Sequence, residues 1–596
     1  MCGIAGVYNK AANVDEAQLS RMLDIAVHRG PDDQGTYLAS NGHFGIGMNR
    51  LSIIDLSSGN QPIWNEDRSL IMVCNGEIYN YKALRQELEE QGHVFSTNSD
   101  VEVALHLFEE DGPEGFGKLD GMFALAIYSE EKEELTVARD RHGIKPLYFS
   151  ANESDPFYFG SEPKSILTVN QDKTVREDVV LEYLVWGYSR NGKSIWADLE
   201  VLPKGSFLRV SNQGHTVNAY YKEEKQEDFP DFESAIKAIR EGMIEAVKSQ
   251  LMSEVPLGVF LSGGIDSTII VGIVSKILGK ELKTFSMDFD GARYSELDKI
   301  NYVSNQFHTE HHTFKANKDI FDLHEDVIRA CDEPFGDPAA LPTFYLSAET
   351  VKHVTVALSG DGADEFQYGY GHHRLPKTKF GFLKNALFHK LLKTIPSLTT
   401  RQYSLLSLTA PKQEWPSNLY FLLKSQIFKS GSVLEHPNYT SLEDYERQSY
   451  LENDILLKTD RMSMYHSLEA RVPFLANDLV DLAKRVPKKF QVRKGSGKSV
   501  LKAAFPDLLD DEIINQKKHG FTTPVGDWIK QSYTEAQFRE LIFQSGFRVL
   551  LNEKRIKGII RQHFTEKYDH GKFLYRMLTT AKWDARYQPQ YHRQAL

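Results

Sequence analysis

With 596 residues the chain exceeds what one hydrophobic core supports, so two or more domains are expected. Its 41% hydrophobic and 26% charged residues exclude a disordered or collagen-like polymer. The formal net charge of -12 argues against a general nucleic-acid binder, which needs a basic field, and points to small molecules as partners. Cys2, Cys74 and Cys331 are too few for a disulfide framework and show no CxxC spacing, which fits a reducing cytoplasm. The N-terminal residues show no basic stretch followed by an apolar core, and no apolar run reaches about 18 residues, so neither a signal peptide nor membrane insertion is expected.

From residue 2 to about 210, the runs IAGVY, FGIGM, LIMVCN, FALAIY and LTVAR read as strands, interrupted by two helices over Glu16 to Ala26 and Tyr81 to Gln91. A layered α+β domain over 1–210 follows. Residues 211–231 are polar, contain a proline and lack apolar periodicity, and so read as a linker. Phe232, Ile236, Ile239, Met243, Ile244 and Val247 then recur as an amphipathic helix requires.

The second domain, 232–596, opens with a regular alternation. A strand VPLGVFL, a turn SGGIDS, a helix TIIVGIVSKIL, a strand KTFSMDF and a helix from near Ser295 come first. A helix near Pro342 to Val351, the strand VTVAL and the turn SGDGADE follow, and the C-terminal part is mostly helical. This pattern predicts an α/β domain with a parallel sheet, and both glycine-rich turns fall at the C-terminal strand ends where such sheets bind ligands. The segment 372–430 holds ten Lys or Arg against one acid, Glu414. It reads as solvated helix faces or as a patch for an anionic polymer.

If the initiator methionine is removed, Cys2 carries an α-amine beside its thiol, and nucleophile and base share one residue. Thiol and amine pKa values, near ~8.5 and ~7.7 to 8.0, let the proton pass with little penalty. Around it stand MCGIAGV, HRGPDDQG (28–35), RLSIIDL (50–56), CNGEIYN (74–80) and SDVE (99–102). Read singly, Asn75 and Gly76 could be a hairpin turn and Asp100 a helix N-cap. Together the motifs resemble the glutamine amidotransferase domain with an N-terminal cysteine, an αββα N-terminal-nucleophile fold. The resemblance implies that Cys2 attacks the glutamine amide while Asn75 and Gly76 stabilise the oxyanion. It further implies that Arg50 pairs with the glutamine carboxylate and that Glu77 and Asp100 hold its ammonium. Met48 departs from the histidine many relatives carry.

SGGIDS (262–267), between an apolar strand and an apolar helix, supplies small residues and a helix N-terminus for phosphate oxygens. It resembles the pyrophosphatase loop of enzymes that split ATP to AMP and pyrophosphate, and SGDGADE (359–365) resembles the partner loop of the asparagine synthetase family. By that resemblance Ser262, Gly263, Gly264 and Ser267 cradle pyrophosphate beside Ser359 and Gly360, and Asp266 and Asp364 bind Mg2+. Asp361 and Glu365 stand near the acyl adenylate, Leu261 and Met287 flank adenine, and Lys498 touches phosphates. GSGKS (495–499) is not a kinase-type phosphate loop, because Val492 replaces its first glycine. KTDRMSMYHSLEARVPF (458–474) and KKHGFTTPVGDW (517–528) extend the likeness.

The two chemistries fit one reaction. A carboxylate must be activated before ammonia attacks it, and adenylation does this. The resemblance implies asparagine from aspartate, glutamine and ATP, with ammonia passing internally between the sites. Alternatives are a uronic acid of a surface polysaccharide or a peptide side chain as substrate, given the departures Gln367, Tyr368 and Ala476. A glutaminase or regulatory scaffold without synthesis is opposed by the intact SGGIDS, Asp364 and Lys498. A homodimer is compatible with the resemblance.

Overall fold

The computed structural model describes residues 2–151, 156–170, 172–190, 192–224, 226–289, 295–316, 318–374, 439, 441–515 and 523–591. Nearly all of the basic segment 372–430, and part of the motif at 517–528, lie outside the described residues.

Two six-stranded antiparallel sheets form the N-terminal half. In the first, Cys2–Tyr8 lies between Phe157–Gly160 and Phe44–Arg50; in the second, Leu70–Ile78 pairs with Gly121–Ser129. The sheets face one another across Ile4, Phe44, Ile46, Ile71, Val73, Ala126 and Val137, all buried. Leu19, Met22 and Leu23 of the helix Glu16–Asp24 cover the outer face of the first sheet. Leu84, Leu88 and the helix Glu102–Asp111 cover the second. This is the αββα arrangement. Met48 is fully buried in the layer between the sheets, opposite Ile4, so it is a core residue there.

Two expectations are corrected. The half holds more helices than the two expected, including Glu102–Asp111 and Glu177–Trp186. Six and seven of their ten residues are buried, so they show no amphipathic period to read. The expected linker contains a strand, Gly214–Ala219, which pairs with Ser206–Ser211 around a two-residue turn at Asn212 and Gln213. It is an exposed edge strand, and one that buries no face needs no apolar alternation.

The helix Phe232–Ser249 follows, started by Asp231, which accepts from the Ser234 N–H. Its buried face, Ala235, Ile239, Met243 and Val247, packs against a five-stranded parallel sheet. The sheet order is Glu310–Ala316, Lys283–Phe289, Leu257–Phe260, Val356–Leu358, Glu469–Arg471. The two outer strands had no apolar signature: the first is half-exposed, and the second carries buried Glu469 and Arg471. The strands preceding SGGIDS and SGDGADE are direct neighbours, which sets the two turns side by side. Among the described residues no helix is long and apolar enough to cross a membrane.

Candidate active centres and their junction

Cys2 opens a central strand and pairs in register with Arg50. Its backbone N–H donates to Asn75 Oδ1 at 2.9 Å, deep in the protein. That bond orients the amide and leaves Asn75 Nδ2, also buried, with no hydrogen-bond partner. Burying such a donor costs about 1–3 kcal/mol, an arrangement that suits an acceptor arriving with substrate. Burial pushes the Cys2 thiol above its usual pKa, with Arg50 opposing. Asn75 and Gly76 lie within the nine-residue strand Leu70–Ile78, not in a hairpin turn. A Cβ on Gly76 would come within 2.4 Å of the Met122 carbonyl, so the adjoining strand demands glycine here.

The Arg50 guanidinium is anchored to Asn60 Oδ1 at 2.7 Å and the Asp55 carbonyl at 2.6 Å. Asp100 does not cap the helix after it, whose N-cap is Val101. Its carboxylate instead accepts from the Ile78 N–H at 2.7 Å, and burial pushes it up to about 6. Burial also raises Glu77, with Glu469 and Asp100 adding repulsion. Glu77 faces the Arg471 guanidinium at 3.2 Å, a partner that local sequence reasoning missed.

In the second centre Gly263 has φ +70°, and a Cβ there would press within 2.9 Å of Lys299. Ser267 Oγ lies 3.1 Å from Ser262 Oγ and donates to the Gly264 carbonyl at 3.2 Å, closing the loop at the N-terminus of helix Ile265–Gly272. The neighbouring turn touches it: a Cβ on Gly360 would lie 3.1 Å from Asp266 Cβ. Ser359 and Leu261 are buried at the strand ends, with the Leu261 N–H bonded to the Phe285 carbonyl, and Met287 is buried on the adjoining strand. Lys498, 5% exposed and at φ 55°, sets its ammonium 2.6 Å from both Asp266 oxygens and 2.5 Å from Asp364. These acids raise its pKa against burial. Lys498 N–H is itself held by the Gln367 carbonyl at 3.1 Å. Asp361 accepts from the Thr459 hydroxyl at 2.7 Å. Glu365 is pushed up to about 8 by burial and the adjacent Asp364.

Residues 238–585 match the asparagine synthase family, and residues 1–221 match the glutamine amidotransferase domain. The chain is 32% identical to asparagine synthetase [glutamine-hydrolyzing] 1 of Bacillus subtilis, over 99% of this chain and 98% of that protein. It is 29% identical to a putative asparagine synthetase of Mycobacterium tuberculosis, over 98% and 97%. Asparagine synthetase B of Escherichia coli is 32% identical over 64% and 66%. The chain belongs to the asparagine synthase family.

In this family member the two centres meet at a buried ionic junction. Arg29, fully buried, donates to the Cys2 carbonyl at 3.2 Å, to Glu162 at 2.9 Å and to both oxygens of Asp460 at 2.8 and 3.1 Å. Arg461 adds a contact to Glu162 at 2.8 Å, and Arg471 binds Glu469 at 2.6 Å and the Gln250 carbonyl at 2.9 Å. Because Thr459 precedes Asp460, one unbroken line of contacts runs from Cys2 through Arg29 to Asp361. A small cavity of about 30 Å3 between the halves is lined by Arg139, Tyr148, Tyr188, Glu333 and Glu452, and by none of the predicted site residues.

Proposed function

We propose that the chain is a glutamine-dependent asparagine synthetase, with a glutaminase half ending near residue 220 and a synthetase half beyond it. What supports this most is the line of contacts joining a cysteine centre to a phosphate-loop centre through Arg29, Asp460 and Thr459.

In the first half, removal of Met1 would free the Cys2 amine to take the proton from a thiol that burial holds protonated. The thiolate attacks the glutamine side-chain carbonyl, Asn75 Nδ2 and the Gly76 N–H receive the oxyanion, and ammonia leaves; water then releases glutamate from the thioester. Arg50 takes the substrate carboxylate, and the carboxylate side of the pocket, Asp100 and Glu77, takes its ammonium.

In the second half, the aspartate side-chain carboxylate attacks the α-phosphorus of ATP and pyrophosphate departs into the Ser262–Ser267 loop, with Ser359 and Gly360 beside it. The Lys498 ammonium offsets the charge gathering there. Asp266 and Asp364 present hard oxygens that fit Mg2+, which when bound supplies further neutralisation of the pyrophosphate. Leu261 and Met287 flank the adenine, and Asp361 and Glu365 border the acyl adenylate. Ammonia attacks the acyl carbon and AMP leaves. At neutral pH most free ammonia is protonated, so it travels inside the protein; free mixing of glutamine-derived nitrogen with labelled external ammonium would refute that passage. A reducing cytoplasm suits a free thiol nucleophile.

The test is pyrophosphate release with glutamine, ATP and one added acid. Aspartate should support it. Release with uronic acids and none with aspartate would transfer the same mechanism to a sugar acid.

A further inference from the structure

We propose that Glu66, His93, His106 and Glu109 form a zinc site on the outer helical layer of the N-terminal half, distant in role from both centres. The four residues come from separate places: the turn after the strand Ile63–Trp64, the loop after the helix Tyr81–Gln91, and the helix Glu102–Asp111, where His106 and Glu109 share a face. One ligand atom from each lies within 4.8 Å of all the others.

The spacing is that of metal ligands, not of hydrogen bonds. His93 Nδ1 lies 3.3 Å from Glu66 Oε1 and 3.6 Å from Glu109 Oε2; His106 Nδ1 lies 3.3 Å from the other Glu66 oxygen, Oε2, and 3.7 Å from Glu109 Oε2. Charge-assisted hydrogen bonds close to about 2.7–2.9 Å, whereas ligands at ~2.0–2.1 Å on a tetrahedral zinc stand about 3.3 Å apart. His106 is fully buried, and neither of its ring nitrogens has a hydrogen-bond partner; His93 Nδ1 likewise has none. Among the described residues, no lysine or arginine pairs with Glu66, Glu102 or Glu109. Two imidazoles and two carboxylates therefore converge with no lysine or arginine between them, and imidazole nitrogen selects zinc over magnesium or calcium.

The outer contact of His93 has the form that a metal-bound histidine takes. His93 Nε2 lies 2.9 Å from Glu110, and His106 Nε2 lies 3.6 Å from Glu102. Glu102 is itself held by the N–H groups of Ser96 and Thr97 at 2.6 and 2.8 Å. A zinc ion here would close the loop that carries Asp100.

Full-length protein should be stripped with a chelator, dialysed and given zinc alone. About one zinc per chain should be retained and the Tm should rise. Cobalt in its place should give the strong visible bands of a tetrahedral site, a measurement that needs no variant. His93→Gln and Glu109→Gln should lose the metal and the Tm rise, and Glu110→Gln, which keeps all four ligands, should weaken zinc about 10–100-fold. Failure of the wild-type protein to retain zinc, a weak octahedral cobalt spectrum, or equal retention by His93→Gln would each overturn the site.

Discussion

Cys2 is a buried thiol with a raised pKa, so its reactivity depends on what stands beside it and not on the cysteine alone. Cys2→Ala should abolish glutamine-dependent synthesis and leave synthesis from added ammonia within about threefold, because the second centre holds no part of it; equal loss of both activities would contradict the division. Glu365 offers a test in pH. Burial and Asp364 push it up to about 8, whereas the unfolded chain has it near 4.3. A raised carboxyl pKa means that folding binds a proton between those values. The stability this group contributes is therefore full below the lower value and is lost as pH climbs through the upper one. Thermal unfolding of the ligand-free protein between about pH 6 and about pH 9 should show the wild type losing stability relative to Glu365→Gln; parallel curves would refute it. At this scale the motifs were informative. The surroundings of Arg50 were legible in the sequence, because its anchors Asp55 and Asn60 lie within ten positions, whereas Lys498 meets Asp266 and Asp364 from far along the chain. Glu77 was less so, since its partner Arg471 lies on a different sheet.

Elements showed where pattern reading succeeds. The helix Tyr81–Gln91 and the strand Lys283–Phe289 lie where their apolar periods put them, because each buries one face or runs through the core. Glu177–Trp186 escaped because seven of its ten residues are buried, which erases the period. Gly214–Ala219 escaped for the opposite reason, being an exposed edge. The turn after Asp364 was read only as a departure from a family pattern, yet it shapes the second centre. A Cβ on Gly369 would lie 1.8 Å from Asp364 Oδ1 and 2.3 Å from Lys498 Cε. Both atoms end flexible side chains, so Gly369→Ala should cost little in Tm. It should nevertheless lower ATP-dependent pyrophosphate release by about 10²-fold, as expected when a charge-stabilising group is displaced, with glutaminase activity unchanged. Pyrophosphate release within twofold of wild type would mean that the Lys498 position is not needed.

The whole molecule is held at its waist by groups far apart in sequence. Arg29 reaches Asp460 across 431 positions and is buried there with Glu162 and Arg461. Arg29→Met would leave buried carboxylates short of a partner, a loss on the order of 3 kcal/mol. It should also raise the ratio of glutamate formed to amide made, because the Cys2 carbonyl and Asp460 lose their common contact. Asp460→Asn should do less, since it keeps an acceptor; an unchanged ratio in both variants would separate the junction from coupling. The layered and parallel sheet classes and the placing of both glycine-rich turns at strand ends were legible in the residues alone, because apolar period, turn residues and small-residue loops act over a few positions; the two kinds of chemistry came from the likeness of the motifs to a family. Which charges meet was settled by packing. The pairing of Arg29 with Asp460, of Glu77 with Arg471 and of Lys498 with two aspartates depends on which surfaces lose water together, and desolvation is a property of the packed molecule that no local pattern records.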